Sequence, residues 1–352
     1  MTGLATNYLT SLAESGLLPD SVIRSGIRRL VGQRQSQIQR LSSADVDAFI
    51  ESMNESEIAP VPESANEQHY EVSAEFFREV LGVHLKYSCC DWTDGAEDLD
   101  EAEAAALEMT CQRAQISDGM RVLDLGCGWG SLSLWIAQCF SESSVTAVSN
   151  SSSQKRFIDA EANALGLSNL RVITADMNDF SIDEKFDRVV SVEMFEHMRN
   201  YRKLFGKVSQ WLKDDGLFFM HIFCHRGVPY EFKDTGPADW MSRHFFTGGI
   251  MPSANLPLQF QDHLTIDDQW FWDGLQYQKT AEAWLRNMDS NKDVIMPALE
   301  TVYGTRNAHR WWARWRIFFL AVSEMFGSNH GQEWKVGHYL FRQKAVSGQK
   351  EL

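Results

Sequence analysis

The chain has 352 residues, 44% of them hydrophobic, which is enough to bury a sizeable core as one large domain or two. Its 33 basic and 48 acidic side chains leave a formal charge of -15, a surface that repels phosphate backbones and anionic bilayers, so neither nucleic acid nor a stable membrane association is expected. The six cysteines lack C-x-x-C pairs, no apolar run reaches the 18 residues of a membrane span, and the N-terminus has no basic-then-apolar signal pattern; the reading is a soluble, cytoplasmic chain with reduced thiols.

Residues 1–62 alternate helix-like segments with polar breaks and read as an N-terminal helical region ending at Pro60-Val61-Pro62. Arg24, Arg28, Arg29, Arg34 and Arg40 make it locally basic, a run that reads as a solvated helix face. From 121 the pattern becomes strand, helix, strand: strands are predicted near 121–125, 145–149, 170–174, 187–192 and 217–223, the βαβ pattern of a doubly wound, mostly parallel sheet. Residues 63–223 are therefore the ligand-binding core. After 224 an aromatic-rich insertion runs to 334, with a helix predicted over 307–326 whose Trp311, Trp315, Phe318, Val322 and Met325 form one apolar stripe, read as core packing. The density of rings in the insertion also suits a lid over an apolar or cationic small molecule. A last strand near 336–342 returns to the sheet within the 335–352 segment.

The stretch Arg121 to Gly130 carries the most information. An apolar strand ends at Asp124, three alternate glycines follow (Gly126, Gly128, Gly130), and a helix opens at once. The G-x-G-x-G spacing, and the absence of an acid after the next strand, which ends in Ser149-Asn150, both count against a nicotinamide dinucleotide. Ligands on such sheets bind outside the carboxyl ends of the strands. Asp124 is placed there to face an ammonium group, with Cys127 inside the turn. Ser149, Asn150 and Gln154 lie where a ribose would sit, and Asp176-Met177 suits an adenine amino group and ring. Together they describe one nucleoside pocket, and the turn looks like that of class I S-adenosylmethionine-dependent methyltransferases.

After the fourth strand comes Glu193-Met194-Phe195-Glu196-His197. If the backbone turns helical there, Glu193, Glu196 and His197 share one face, where two carboxylates and an imidazole perturb one another and suit proton handling. Upstream, in Tyr87-Ser88-Cys89-Cys90, the adjacent cysteines read first as small buried hydrophobes, and His221 at a strand end is a pocket residue rather than part of a metal site with Cys224 and His225. No metal is expected.

The stretches Tyr87–Cys90, Val122–Gly130, Val145–Ser151 with Gln154-Lys155, Glu193–Met198 with Asn200-Tyr201, Pro252-Ser253-Ala254, Glu324–Gly327, Gly331 and Glu333-Trp334 resemble the coclaurine N-methyltransferase family, within the group that contains cyclopropane fatty acid synthases. The resemblance runs from about residue 70 to the end. It implies S-adenosyl-L-methionine as cofactor, a small-molecule amine as substrate, and Glu193, Glu196 and His197 acting at the amine. It also places Asp124, Gly126, Gly128, Gly130, Asn150, Gln154 and Asp176 in the cofactor pocket, with Tyr87, Ser88, Cys89, His221, Phe318 and Phe319 toward the substrate. Cyclopropane synthases hold a bicarbonate with a cysteine, a glutamate, a histidine and a tyrosine. Cys89, Glu196 and His221 match three of these, while Phe318-Phe319 stands at the expected tyrosine position and speaks against cyclopropanation. The oligomeric state is not readable, a homodimer being one compatible assembly.

Overall fold

The computed structural model describes residues 3–61, 73–236 and 238–344. The expected boundary at residue 62 lies outside them. Nine strands are present among the described residues: β1 (Arg121–Leu125), β2 (Ser144–Ser149), β3 (Leu170–Thr174), β4 (Phe186–Val192), β5 (Leu212–His225), β6 (Tyr230–Glu231), β7 (Ile250–Met251), β8 (Leu264–Trp272) and β9 (Trp334–Gln343). Seven of them form the main sheet in the order β3-β2-β1-β4-β5-β9-β8, while β6 and β7 pair separately. β1 to β5 are mutually parallel; β9 runs antiparallel to β5, and β8 antiparallel to β9. The doubly wound fold expected from the βαβ pattern is the one found, with the strand order reversing between β1 and β4. A crevice for ligand opens at that switch point, outside the carboxyl ends of these two strands.

The strands are apolar because helices cover both faces. Val122, Leu123 and Leu125 of β1, Val145, Ala147 and Val148 of β2, and Val189 and Val190 of β4 are all buried. β8 was not foreseen. Its exposure runs irregularly, with Asp267, Asp268 and Gln269 facing solvent at the sheet's edge, so neither a continuous apolar run nor a clean alternation marks it. The aromatic-rich segment after residue 224 thus supplies the sheet's last strand as well as the helices Gly274–Ser290, Lys292–Tyr303 and Thr305–Phe326. In the last of these, Trp315, Phe318 and Val322 of the expected stripe are buried and pack into the larger hydrophobic core.

The basic N-terminal run is not simply a solvated face. Arg24 donates to Glu282 and Glu324, Arg28 to Glu324, and from the other side Arg314 reaches Glu14 while Arg316 reaches Asp20 and Asp289. Arg34 lies 5.1 Å from the centre of the Tyr230 ring. Arg29 and Arg40 are exposed, as a solvated face would have them. The helices Gly3–Glu14 and Asp20–Ile38 are therefore clamped onto the C-terminal helices by charge, and the third, Ser43–Glu55, begins with a reciprocal cap between Ser42 and Asp45.

Candidate active site

One cleft lies over the carboxyl ends of β1, β2 and β4. Its cofactor side follows from the turn after β1. Gly126 has φ +77°, and a Cβ there would meet Met194 Cγ at 2.7 Å, so this glycine is demanded by packing. Gly128 has φ +53°, and a Cβ there would point into open space, so this glycine keeps the floor of the cleft clear. Of the residues expected to hold the cofactor, Asp124, Gly126, Cys127, Gly128, Asn150, Gln154, Asp176 and Met177 line this one cleft, while Gly130 does not and packs instead against Ile158. Asp124 is buried and accepts from Ser133 Oγ at 2.6 Å; burial pushes its carboxyl up to about 6. Gln154 accepts from Ser149 Oγ at 2.7 Å through its carbonyl. Its amide nitrogen, Ser131 Oγ and Trp129 Nε1 are buried with no hydrogen-bond partner among the described residues. Buried donors without partners are costly, and three of them around a clear glycine floor fit a polar, nucleoside-sized ligand such as S-adenosylmethionine.

The opposite end is built on Glu193. Its φ is +48°, so the chain leaves β4 through a left-handed residue rather than entering a helix, and its N–H donates to the His221 carbonyl at 2.8 Å. A single 3₁₀ turn, Phe195–His197, follows. The expectation that Glu193, Glu196 and His197 share one helical face is thereby corrected. Glu193 and His197 line the cleft; Glu196 turns away, fully buried, and accepts the Phe223 N–H on Oε1 at 2.7 Å. Burial, reinforced by the charge of Glu193, holds the Glu196 carboxyl well above the usual carboxylate range.

Three donors converge on the Glu193 carboxylate. The Cys89 N–H reaches Oε1 at 2.9 Å, His221 Nε2 meets the same oxygen at 3.2 Å, and the Tyr277 hydroxyl donates to Oε2 at 2.6 Å. Burial still raises its pKa from the ordinary value. His197 stacks on Phe246, ring centres 5.6 Å apart and planes nearly parallel, and burial pushes its imidazole down to about 4.

Of the residues expected toward the substrate, Tyr87 and Ser88 line the cleft. Cys89 acts through its backbone, its thiol being buried and raised well above its usual range, and His221 sits behind Glu193 rather than in the cleft wall. Phe318 and Phe319 are corrected: Phe318 stacks on Phe245 at 4.4 Å and Phe319 packs on Trp284 and Trp315, in the core. The hydroxyl that reaches a glutamate at the cleft comes from Tyr277 instead, and that glutamate is Glu193. Lys86 was also missed: it lines the cleft and donates to Ser88 Oγ at 2.7 Å and the Cys89 carbonyl at 2.5 Å. It adjoins the Tyr87 motif, which was the signal for it, whereas Tyr277 lies mid-helix with no local motif around it.

Comparison with known proteins agrees with this geometry. The family model for mycolic acid cyclopropane synthetase matches residues 61–332. The chain belongs to that family. Among its relatives, (S)-coclaurine N-methyltransferase of Thalictrum flavum subsp. glaucum is 39% identical over 344 residues, covering 94% of each chain. Pavine N-methyltransferase of the same plant is 33% identical over 349 residues, covering 97% of this chain and 98% of the relative. A crystal structure of coclaurine N-methyltransferase bound to N-methylheliamine and SAH superposes with a TM-score of 0.92 at 38% identity, covering 95% of this chain and 99% of the other. The enzyme is an S-adenosylmethionine-dependent N-methyltransferase of small-molecule amines, with S-adenosyl-L-methionine as its cofactor. No helix among its described residues is long and apolar enough to cross a membrane.

Proposed function

We propose that the substrate is an alkaloid amine of the kind its relatives are named for, coclaurine or pavine, and that Glu193 takes the amine's proton while His197 aims the nitrogen. An alkyl amine is protonated at neutral pH and then has no lone pair with which to attack. S-adenosylmethionine supplies an electrophilic methyl group whose thioether leaving group needs no proton. The chain's task is therefore to hold the amine in line, strip its proton and keep water out. Glu193 suits the second part, because burial makes it more basic than an ordinary carboxylate and three donors fix its direction. His197, neutral at pH 7, offers a ring-nitrogen acceptor without a competing positive charge. In the cofactor half of the cleft, Asp124 would hold the ammonium group and Asp176 the adenine amino group, with Asn150 and Gln154 at the ribose. The six free thiols support placing the reaction in the cytoplasm.

Lipid cyclopropanation is the second reading, favoured by the family match, although Cys89, His221 and Tyr277, the counterparts of the bicarbonate donors, here already hold the Glu193 carboxylate. Incubation with methyl-labelled S-adenosylmethionine separates the two. Coclaurine and the unmethylated parent of N-methylheliamine are expected to carry the label on nitrogen by mass spectrometry. Label in a cyclopropane ring from unsaturated phospholipid vesicles with bicarbonate, and none on either amine, overturns the proposal.

A further inference from the structure

Between the helix Ala74–Val80 and the cleft residues Tyr87 and Ser88 runs a loop with no strand or helix of its own. Its amides turn to two acids of the helix Leu99–Arg113. Glu103, fully buried, accepts the Gly82 N–H at 2.9 Å and the Lys86 N–H at 3.2 Å on Oε1 and the His84 N–H at 2.8 Å on Oε2, while Asp100 accepts the Val83 N–H at 2.9 Å. The Leu85 N–H turns back to the Gly82 carbonyl at 3.0 Å, with Leu85 in the left-handed region at φ +51°. Three amides aimed at one buried carboxylate, and a left-handed leucine between them, make the loop's course depend on that side chain. The far end of the same stretch reaches Glu193. Lys86 Nζ folds back onto Ser88 Oγ at 2.7 Å and the Cys89 carbonyl at 2.5 Å, tying residues 86–89 together, and the Cys89 N–H is the donor that meets Glu193 Oε1 at 2.9 Å.

We propose that Glu103 is a positioning residue for the reaction: by holding the Lys86 amide it fixes residues 86–89, and with them the Cys89 N–H, on the Glu193 carboxylate. The inference rests on Glu193 as proton acceptor. A donor held on the ionised form keeps Glu193 ionised to a lower pH, so a loop that drifts off Glu103 raises the pH needed for turnover. Charge works the other way. Removing a buried negative charge nearby makes Glu193 easier to ionise, so an upward move cannot come from the lost charge of Glu103. The titratable groups at the Glu103 end are His84, Lys86, Cys90 and Asp100, and those at the Glu193 end are Lys86, Cys89, Glu196, His197, His221 and Tyr277. Burial pushes the Glu103 carboxyl itself up to about 7. Its proton belongs on Oε2, which accepts one amide, and Oε1 then still accepts the Lys86 N–H.

Glu103→Leu removes every acceptor and is expected to move the acid limb of the kcat profile up by about one pH unit, the worth of one lost hydrogen bond to a charged group. Glu103→Gln keeps a carbonyl for the two amides on the Oε1 side and should hold the limb near the parent's. Gly82→Ala reaches the same contact from the loop. A Cβ there would lie 2.7 Å from Asp100 Oδ1 and 2.8 Å from Glu103 Oε2, both already held by amides, so the loop must give way and the limb should rise as in Glu103→Leu. A purely structural role would lower the thermal midpoint and scale kcat equally at every pH. An unmoved limb in a folded Glu103→Leu or Gly82→Ala, or an equal rise in Glu103→Gln, overturns the inference. Amide hydrogen exchange in the unmodified enzyme needs no variant: the Gly82, His84, Lys86 and Cys89 amides are expected to open together, and a Cys89 amide that opens independently overturns the inference whatever the variants do. Failure of the underlying reading looks different, as normal turnover in Glu193→Gln.

Discussion

The Tyr277 hydroxyl donates to Glu193 Oε2 at 2.6 Å across 84 positions of the chain. One partner directly follows a central strand and the other lies within the helix Gly274–Ser290, so the aromatic-rich half of the protein completes the site that the cofactor-binding half begins. Tyr277 is itself buried, and burial keeps its phenol protonated as a donor.

Removing that donor has a calculable sign. A hydrogen bond to the ionised form lowers an acid's pKa, so Tyr277→Phe raises that of Glu193, and activity that needs the carboxylate is lost at a higher pH as the medium is acidified. A charge-assisted bond worth about 1.5–3 kcal/mol corresponds to about one to two pH units. A kcat profile for Tyr277→Phe should show its acid limb displaced upward by that amount, with a thermal midpoint close to the parent's. An undisplaced limb means the hydroxyl does not act on Glu193 during turnover.

Glu193 and Glu196 should separate cleanly. Glu193→Gln removes the proton acceptor in the cleft and is expected to lower kcat by about 10²–10⁴-fold, as is usual for a lost acid or base. Glu196→Gln keeps the shape of the side chain and the acceptor for the Phe223 N–H, and the charge it removes is one that burial already disfavours, so kcat should stay within about threefold. Steady-state kinetics on both variants decides it, and the opposite ranking would return Glu196 to the chemistry.

Much of this was legible in the sequence, for a local reason. β1 to β5 announce themselves as apolar runs because helices bury both their faces, and the cofactor residues are readable because the fold gathers strand ends at one edge. β8 was illegible because an edge strand with Asp267, Asp268 and Gln269 in solvent keeps no regular period. The shared face expected of Glu193 and Glu196 was misjudged through one dihedral angle: spacing of i, i+3 and i+4 means a shared face only in a helix, and the +48° φ of Glu193 ends that premise. Tyr277 carries no local mark at all, since what makes it a partner of the site is packing between distant segments.

The two glycines of the cofactor turn should fail in different ways. Gly128→Val places a branched side chain in the open floor of the cleft, so calorimetry should show SAH affinity reduced by at least about 100-fold, with a stability cost of about 1–2 kcal/mol from the left-handed backbone. Gly126→Ala drives a methyl into Met194 and should lower the thermal midpoint more than Gly128→Val does, though the smaller side chain was introduced. Equal loss of affinity without that difference in stability would show the turn to be fixed by ligand contact alone.

Asp124 makes cofactor binding depend on pH. Its carboxyl, pushed up to about 6 by burial, must be ionised to hold an ammonium group, so protons and cofactor compete for it. SAH affinity is expected to be level above pH 6 and to fall by up to about tenfold per unit below it, while Asp124→Asn binds weakly with no such slope. Stability of the cofactor-free protein runs the other way. Because the folded state keeps the proton to a higher pH than the unfolded chain, whose value is 3.8, the folded form binds more protons between about pH 4 and 6, and stability falls as pH rises through that window. At about 1.4 kcal/mol per unit the loss is of order 1–3 kcal/mol, and Asp124→Asn should remove it. Calorimetric titrations and denaturant curves over pH 4–8 measure both slopes. An affinity that is flat across pH 5–7 in the unmodified enzyme would mean that Asp124 is not the group that meets the ammonium.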